Sequence, residues 1–156
     1  MKSLFALLSL LLVATACNTT KPAASADVII SVMHGTHFGH CRGYCRKDVI
    51  FSEKQVSYIE SSVDTKSNPD KKENFDLSAG KWKNITDKID WNKFQKLEER
   101  YGCPDCADGG SEYIEITTAS GTKRVTIEFN KESPELEPLL KELRKQRKEL
   151  LKAEGE

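Results

Sequence analysis

Apolar and polar residues alternate along several short stretches of the chain, a period of two that is typical of β-strands with one buried face. On this basis we predict five strands, at residues 27–33, 47–52, 55–60, 112–118 and 123–129. The second and third strands, and the fourth and fifth, are close enough in sequence to form antiparallel hairpins. Residues 61–76 are largely polar and contain Pro69, so we expect a loop there.

Elsewhere apolar residues recur every three to four positions, which predicts three α-helices. Ser78 and Asp90 are suited to cap the first two helices, and Gly102 is suited to end the second in a left-handed conformation. The third helix begins near residues 134–138 and presents one apolar stripe, formed by Leu136, Leu139, Leu140, Leu143 and Leu150.

The resulting order, β-β-β-α-α-β-β-α, indicates an α+β fold. We predict a two-layer sandwich in which the helices pack on one face of a mostly antiparallel sheet of about five strands. The predicted elements span residues 27–152. A segment of about 130 residues is long enough for one domain with one hydrophobic core.

Ahead of this domain, residues 1–16 have the parts of a secretory signal peptide. Lys2 precedes an apolar run at residues 4–14, and the small residues Thr15 and Ala16 follow it. The run has 11 residues, whereas a helix needs about 20 to cross the hydrocarbon core of a bilayer. We therefore predict that residues 1–16 are removed after export.

Cys17 comes next and resembles the lipid-accepting cysteine of bacterial lipoproteins. Ala14 stands where leucine is usual in those proteins, and Ala14-Thr15-Ala16 is also a site for ordinary signal peptidase, which cuts the same bond without lipidation. The chain has five cysteines, and lipidation of Cys17 leaves four that can pair in an oxidising compartment. We therefore expect Cys17 to be lipidated.

Residues 17–26 form the predicted lipidated N-terminus and a flexible tether, because no large apolar side chain follows Cys17 in this stretch. The lipid makes the membrane the first expected partner of the protein. We expect a lipoprotein of the bacterial cell envelope that faces the periplasm, in the outer rather than the inner membrane.

The charges of the mature chain are nearly balanced. Removal of residues 1–16 takes away one of 24 basic residues and none of 24 acidic residues, which leaves a net charge close to minus one. Nucleic-acid binding needs a basic surface, so we expect no nucleic-acid partner. Residues 144–148 (RKQRK) form a local basic patch, interpreted as a solvated helix face or, alternatively, a contact with anionic lipid or a partner.

Two glycine-rich segments, residues 34–45 and 102–110, carry the remaining cysteines, which are Cys41, Cys45, Cys103 and Cys106. Export favours disulfides among them. Disulfide bonds within each segment form more readily. Disulfide bonds between the segments close longer loops and therefore stabilise the fold more. The spacing leaves both connectivities open.

The same segments also suggest a metal site. All three histidines of the chain, His34, His37 and His40, lie within seven residues of one another, and imidazole and thiolate groups both bind Zn or Cu. Because oxidation would occupy the thiols, three imidazoles without a thiolate are the expected ligand set. Apart from such a Zn or Cu site, we expect no cofactor.

Thiol–disulfide exchange is a third interpretation, since Cys103-Pro104-Asp105-Cys106 has the C-x-x-C spacing of redox proteins. In those proteins the motif begins a helix, whereas here it follows a predicted helix and precedes a strand. The sequence has no nucleophile elbow, zinc-protease motif or catalytic triad. We predict a non-enzymatic binding or structural envelope module for a partner or small ligand, with a metal-binding or redox envelope protein as the alternative.

The two cysteine segments also carry a family resemblance. FGHCRGYC at residues 38–45 and YGCPDCADGGSEYIEI at residues 101–116 resemble bacterial lipoproteins related to the domain-of-unknown-function 6438 family. In the broader family the first motif often reads C-F-G-x-C-P-x-Y, whereas here His37 stands at its first cysteine and Arg42 at its proline. The resemblance implies an envelope lipoprotein and a domain extending from residue 34 to the final helix, and it implies no activity.

Overall fold

The computed structural model describes residues 27–153. The predicted signal peptide, the lipidation site Cys17 and the predicted tether lie outside the described residues. Within residues 27–153, no helix is both long enough and apolar enough to cross a bilayer.

A mostly antiparallel sheet of six strands forms the framework of the fold. Its strands are β1 (Ile29–His37), β2 (Tyr44–Ser52), β3 (Gln55–Ser62), β4 (Lys71–Asp76), β5 (Ser111–Thr118) and β6 (Gly121–Glu128). They lie in the order β4-β3-β2-β1-β5-β6, and each neighbouring pair is antiparallel. The prediction of an α+β chain with a mostly antiparallel sheet is confirmed, and the predicted count of about five strands is one too low.

The additional strand is β4, which falls in the predicted loop. It pairs with β3 from Gln55 opposite Asp76 to Glu60 opposite Lys71. Five of its six side chains are exposed, and only Phe75 is half-buried. An edge strand is held by backbone hydrogen bonds along one side, and charged side chains protect its open edge. Its sequence therefore lacks the apolar alternation that reveals the other strands.

Three helices accompany the sheet: α1 (Ala79–Thr86), α2 (Trp91–Phe94) and α3 (Glu137–Ala153). The predicted caps are confirmed, since Ser78 Oγ accepts a hydrogen bond from the backbone N–H of Lys81, and the Asp90 carboxylate accepts one from that of Lys93. Each side chain satisfies a helix N–H that has no partner within the helix.

Helix α2 is much shorter than predicted and ends well before Gly102. Beyond it the backbone turns to follow the free edge of β6, where Thr126 donates to the carbonyl of Glu99 and Tyr101 donates to the carbonyl of Thr126. These bonds to the sheet replace the bonds that a longer helix would make. Gly102 does adopt a left-handed conformation, with φ of 68°, but in the loop that leads to β5.

One face of the sheet shares its core with all three helices. Side chains alternate between faces along a strand, so the pairs Val32–Phe51 and Val32–Ile116 place β1, β2 and β5 side chains on the same face. Buried residues of that face pack with Leu136, which directly precedes α3, and with helix residues, namely Ile85, Phe94, Leu139, Leu140 and Leu143. The predicted leucine stripe of α3 therefore faces the core, with Leu150 half-buried at its edge.

The opposite face carries its own polar cluster. Tyr113 lies against Gly35, where a β-carbon would clash with its ring, and its hydroxyl is hydrogen-bonded to the buried Asp48. Arg46 Nε donates to both Asp48 and the Tyr113 hydroxyl, and the Arg124 guanidinium lies 4.4 Å from the centre of the tyrosine ring. Glycine at position 35 thus lets Tyr113 lie flat on the sheet and cover Asp48.

Candidate functional site

The four cysteines of the described domain form two local disulfides. Cys41 pairs with Cys45, with their α-carbons 5.6 Å apart, and Cys103 pairs with Cys106, with theirs 5.4 Å apart. The prediction of disulfides is confirmed, and the structure has pairing within each segment rather than between the segments. Each bond closes a loop at the same end of the sheet, where β1 ends and β5 begins.

The two disulfide loops contact each other. The backbone N–H of Gly39 donates to both carboxylate oxygens of Asp105, at 3.2 and 3.0 Å, and His40 Nδ1 lies 3.2 Å from a carboxylate oxygen of Asp108. Gly110 contacts the ring of Phe38, which leaves no room for a side chain at that position. The loops therefore form one continuous rim although 66 residues separate Gly39 from Asp105.

The structure does not bring the three predicted metal-binding histidines together. His34 lies on the helix-covered face of β1, and His37, three positions further along the strand, faces the other side. His40 is exposed and directly precedes Cys41, where the first disulfide loop begins. Within residues 27–153, no three His, Cys, Asp or Glu side chains form a group able to hold a metal ion, so the expected three-imidazole set for Zn or Cu is not assembled there.

A buried polar cluster lies below the rim. It begins where the side chains on the helix-covered face of β1 change from apolar to polar. Glu112 on β5 is its centre and is 2% exposed. Its Oε1 lies 2.6 Å from His34 Nε2 and accepts from Arg144 Nε at 3.0 Å. Its Oε2 accepts from Arg144 Nη2 at 2.6 Å and from the backbone N–H of Asn130 at 3.2 Å. The carboxylate is therefore fully hydrogen-bonded and connects the sheet to α3.

These contacts fix the charges of the cluster. Burial raises the pKa of Glu112, but hydrogen bonds from His34 and Arg144 outweigh it and lower that pKa from 4.5 to about 2. Burial lowers the pKa of His34 below 6.5 despite the opposing effect of Glu112. At neutral pH the carboxylate is charged and the imidazole is neutral, so the His34 Nε2–H donates to Glu112.

His34 and Glu112 resemble the histidine–carboxylate pairs of hydrolytic enzymes, in which the second ring nitrogen takes a proton from the substrate or nucleophile. Here that nitrogen, Nδ1, is buried and has no hydrogen-bond partner among the described residues. A general base must lie within hydrogen-bond reach of the proton that it removes. The contact that the structure shows for the His34 ring is the one through Nε2, which holds Glu112.

Arg147, one turn further along α3, is the second cation at the sheet. Its Nη1 donates to the backbone carbonyls of His34 and Lys47, at 3.5 and 3.3 Å, and its Nη2 donates to Thr36 Oγ1 at 3.1 Å. Burial lowers the pKa of Arg147 from its ordinary value. Among residues 27–153, no carboxylate lies within ion-pair distance of Arg147, and the atoms that accept its hydrogen bonds are neutral oxygens.

A cavity of about 620 Å³ opens between the polar cluster, the rim and the C-terminal half of α3. Phe38 and Phe129 form one wall, with their ring centres 4.9 Å apart in an edge-to-face arrangement. Leu151, Lys148 and Lys152 line the opposite side. Phe129 is 40% exposed, so its ring adds apolar surface that faces the opening of the cavity. The volume is typical of a small-molecule pocket.

Glu112 and Arg147 were not identified from the sequence, and residues 144–148 were interpreted as a solvated helix face or, alternatively, a contact with anionic lipid or a partner. In the structure Arg144 and Arg147 instead turn toward the sheet. The signal was present in the sequence, because Leu140, Arg144, Arg147 and Leu151 recur at helical spacing on the apolar stripe of α3. Two arginines within a core stripe indicate buried acceptors opposite them, although they do not say which acceptors.

No protein-family model and no curated protein sequence matches this chain. The resemblance carried by the two cysteine segments is therefore still a prediction. The same holds for the lipid on Cys17 and for the envelope location.

Proposed function

We propose that this chain is an exported, lipid-anchored envelope protein that binds a small ligand non-enzymatically in the cavity between α3 and the sheet. The observation that carries the proposal is the cavity itself: about 620 Å³, with an aromatic wall and a floor of fixed polar groups. In this proposal the domain is a two-layer α+β sandwich of the lipoprotein family that its cysteine segments resemble.

The position of the cavity supports a ligand that arrives from the periplasm. The described chain begins at Asp27, just before β1, whereas Thr36 and Phe38 lie at the far end of the same strand. Seven residues of extended chain separate Ile29 from Thr36, which corresponds to about 25 Å. The tether joins the domain ahead of β1, and the cavity therefore lies at the opposite end of the sheet from that point of attachment.

The lipid is tested by the intact mass of the protein purified from membranes. We expect a chain that begins at Cys17 and carries the added mass of acyl groups. The predicted cleavage site before Cys17 favours lipidation, and so does the even number of cysteines that remain to pair once Cys17 is lipidated. Cys17→Ser is the control and should lack that mass. An unmodified chain beginning at Cys17 would instead show ordinary secretion and refute the anchor.

The cavity is tested with two small naphthalene dyes, anionic 8-anilinonaphthalene-1-sulfonate and neutral N-phenyl-1-naphthylamine. We use the Cys17→Ser chain so that no acyl group competes. At least one dye should shift the amide NMR resonances of cavity residues, and Phe129→Ala should weaken its binding about tenfold, because an apolar wall is lost.

Val63→Ala is the matched control for Phe129→Ala. Val63 is also a large exposed apolar residue, 88% exposed, and it does not line the cavity. We expect dye binding to be unchanged in this variant. If neither dye shifts cavity resonances, or if both substitutions weaken binding equally, the cavity is not a ligand site.

A further inference from the structure

We infer that the ligand is an amphipathic anion: a carboxylate or phosphate group on an apolar body, with the anion at Arg147, Lys148 and Lys152 and the body between Phe38 and Phe129. This inference rests on the proposed function, namely that the cavity binds a small ligand, and adds the chemical class of that ligand.

The lining of the cavity carries an excess of positive charge. Two of its cations have carboxylate partners: Arg144 pairs with Glu112, and Lys47 Nζ lies 2.9 Å from Glu60. Arg147, Lys148 and Lys152 have no carboxylate within ion-pair distance in the described part of the chain. Within residues 27–153, the cavity therefore presents three cations of one helix that no carboxylate balances, and an incoming anion would balance them.

Arg147 is already held in place to receive an anion. Its bonds to two carbonyls and to the Thr36 hydroxyl hold the guanidinium at the sheet before any ligand arrives. A guanidinium has five N–H donors, and its planar fork matches two oxygens of a carboxylate or phosphate. Burial of a cation among neutral acceptors is costly. An oxyanion beside it would reduce that cost and gain a charge-assisted hydrogen bond.

The two lysines lie nearer to the solvent than Arg147 does. Lys148 and Lys152 are four residues apart, so they lie one above the other on α3. Both are exposed and line the cavity, whereas Arg147 is deeper. Exposed charges attract an oppositely charged ligand over about one Debye length and are weakened by salt. The lysines therefore suit the approach of the anion, and Arg147 suits its final contact.

The apolar walls account for the rest of the ligand. Phe38, Phe129 and Leu151 present carbon surface on both sides of the opening. A bare inorganic anion would leave that surface in water, while an apolar body covers it at a gain of about 25 cal/mol per Å². Since the cavity lies at the end of β1 opposite the attachment point, a free amphiphile can enter it without that end of the sheet approaching the membrane, and we assign such an amphiphile as the ligand.

The test compares the two dyes, which share the phenyl-naphthylamine framework and differ in the sulfonate. With the Cys17→Ser chain, we expect the sulfonate dye to bind about tenfold more tightly, because a charge-assisted hydrogen bond is added. That preference should shrink when NaCl is raised from about 0.02 M to about 0.5 M. Decanoate and decyl phosphate should displace the bound dye, and decanol should not.

Two double variants separate the cavity lysines from the general charge of α3. Lys148→Gln with Lys152→Gln should weaken binding of the sulfonate dye severalfold and leave the neutral dye unchanged. Lys141→Gln with Lys145→Gln removes the same charge from exposed positions of the same helix that do not line the cavity, and it should change neither affinity. Arg147→Gln should weaken binding of the sulfonate dye more than the lysine substitutions do. If the Arg147→Gln chain fails to fold, the lysine variants still test the inference.

Two results would contradict the inference, and they differ from failure of the proposed function. Equal affinity for both dyes, mapped to the cavity and insensitive to the lysine variants, would overturn the anion while leaving a ligand-binding cavity. Displacement by decanol as strong as that by decanoate would do the same. If neither dye bound in the cavity, both proposals would be wrong.

Discussion

Replacing Glu112 with alanine should lower the free energy of unfolding by about 4 kcal/mol, the largest effect that we expect from a single substitution. The change leaves Arg144 at the sheet without its carboxylate. It also removes the acceptor of the His34 Nε2–H and of the Asn130 backbone N–H. Unpaired buried donors each cost about 1–3 kcal/mol. Urea denaturation at neutral pH measures the loss.

Glu115→Ala is the matched control, since both residues lie on β5. Glu115 is three positions further along and therefore faces the opposite side of the sheet. It also pairs with an arginine, Arg124 at 2.9 Å, but both side chains are partly exposed, at 23% and 39%. Exposed pairs contribute about 0–1 kcal/mol. Equal losses in the two variants would show that burial of the Glu112 cluster does not stabilise the fold as we argue.

The second large effect is a loss of stability in acid. The pKa of Glu112 is lowered from 4.5 to about 2 by the bonds from His34 and Arg144, which overcome burial. Because the folded-state pKa lies below the unfolded value, the unfolded chain binds the proton more readily. The stabilisation is fully present above about pH 4.5 and is lost as the pH falls toward 2, with a size of about 3 kcal/mol.

His34 acts in the same direction and begins to act at higher pH. Burial lowers its pKa in the folded protein, so below about pH 6.5 the unfolded chain takes up a proton that the folded chain resists. We therefore expect stability to start falling near pH 6.5 and to fall further as Glu112 is protonated. Both groups belong to one cluster, and the two losses should overlap.

Urea denaturation at a series of pH values between 7 and 2 checks this prediction. The difference between the unsubstituted chain and Glu112→Gln isolates the carboxylate, because the other acidic groups are common to both. We expect that difference to be largest above pH 4.5 and to shrink toward pH 2. A difference that does not change with pH would mean that the charge of Glu112 does not contribute.

The Glu112 cluster also has a consequence for binding. Arg144 holds α3 against β5, and the same helix carries Arg147, Lys148 and Lys152 to the cavity. The leucine stripe fixes how far α3 lies from the sheet, and the bidentate pair with Glu112 fixes its rotation. Stability of the domain and the position of the proposed anion site therefore depend on the same helix.

Much of the fold was predictable because its signals are local. Alternating side chains revealed the strands with one buried face, and the spacing of Leu139, Leu140 and Leu143 revealed the buried side of α3. Ser78 and Asp90 were identified as caps because a capping side chain bonds to an N–H three residues away. Strand β4 was missed because an exposed edge strand needs no apolar pattern.

The strand and helix periods, the helix caps and the disulfide chemistry could be predicted from the sequence, since each depends on residue type and on near neighbours. The site could not, because it is assembled by the folded chain. His34 and Glu112 are 78 residues apart, and Arg144 follows Glu112 by 32. Their meeting depends on the register of β1 with β5 and on the rotation of α3. The packing of the whole core sets both the register and the rotation, and no short stretch of sequence carries that information.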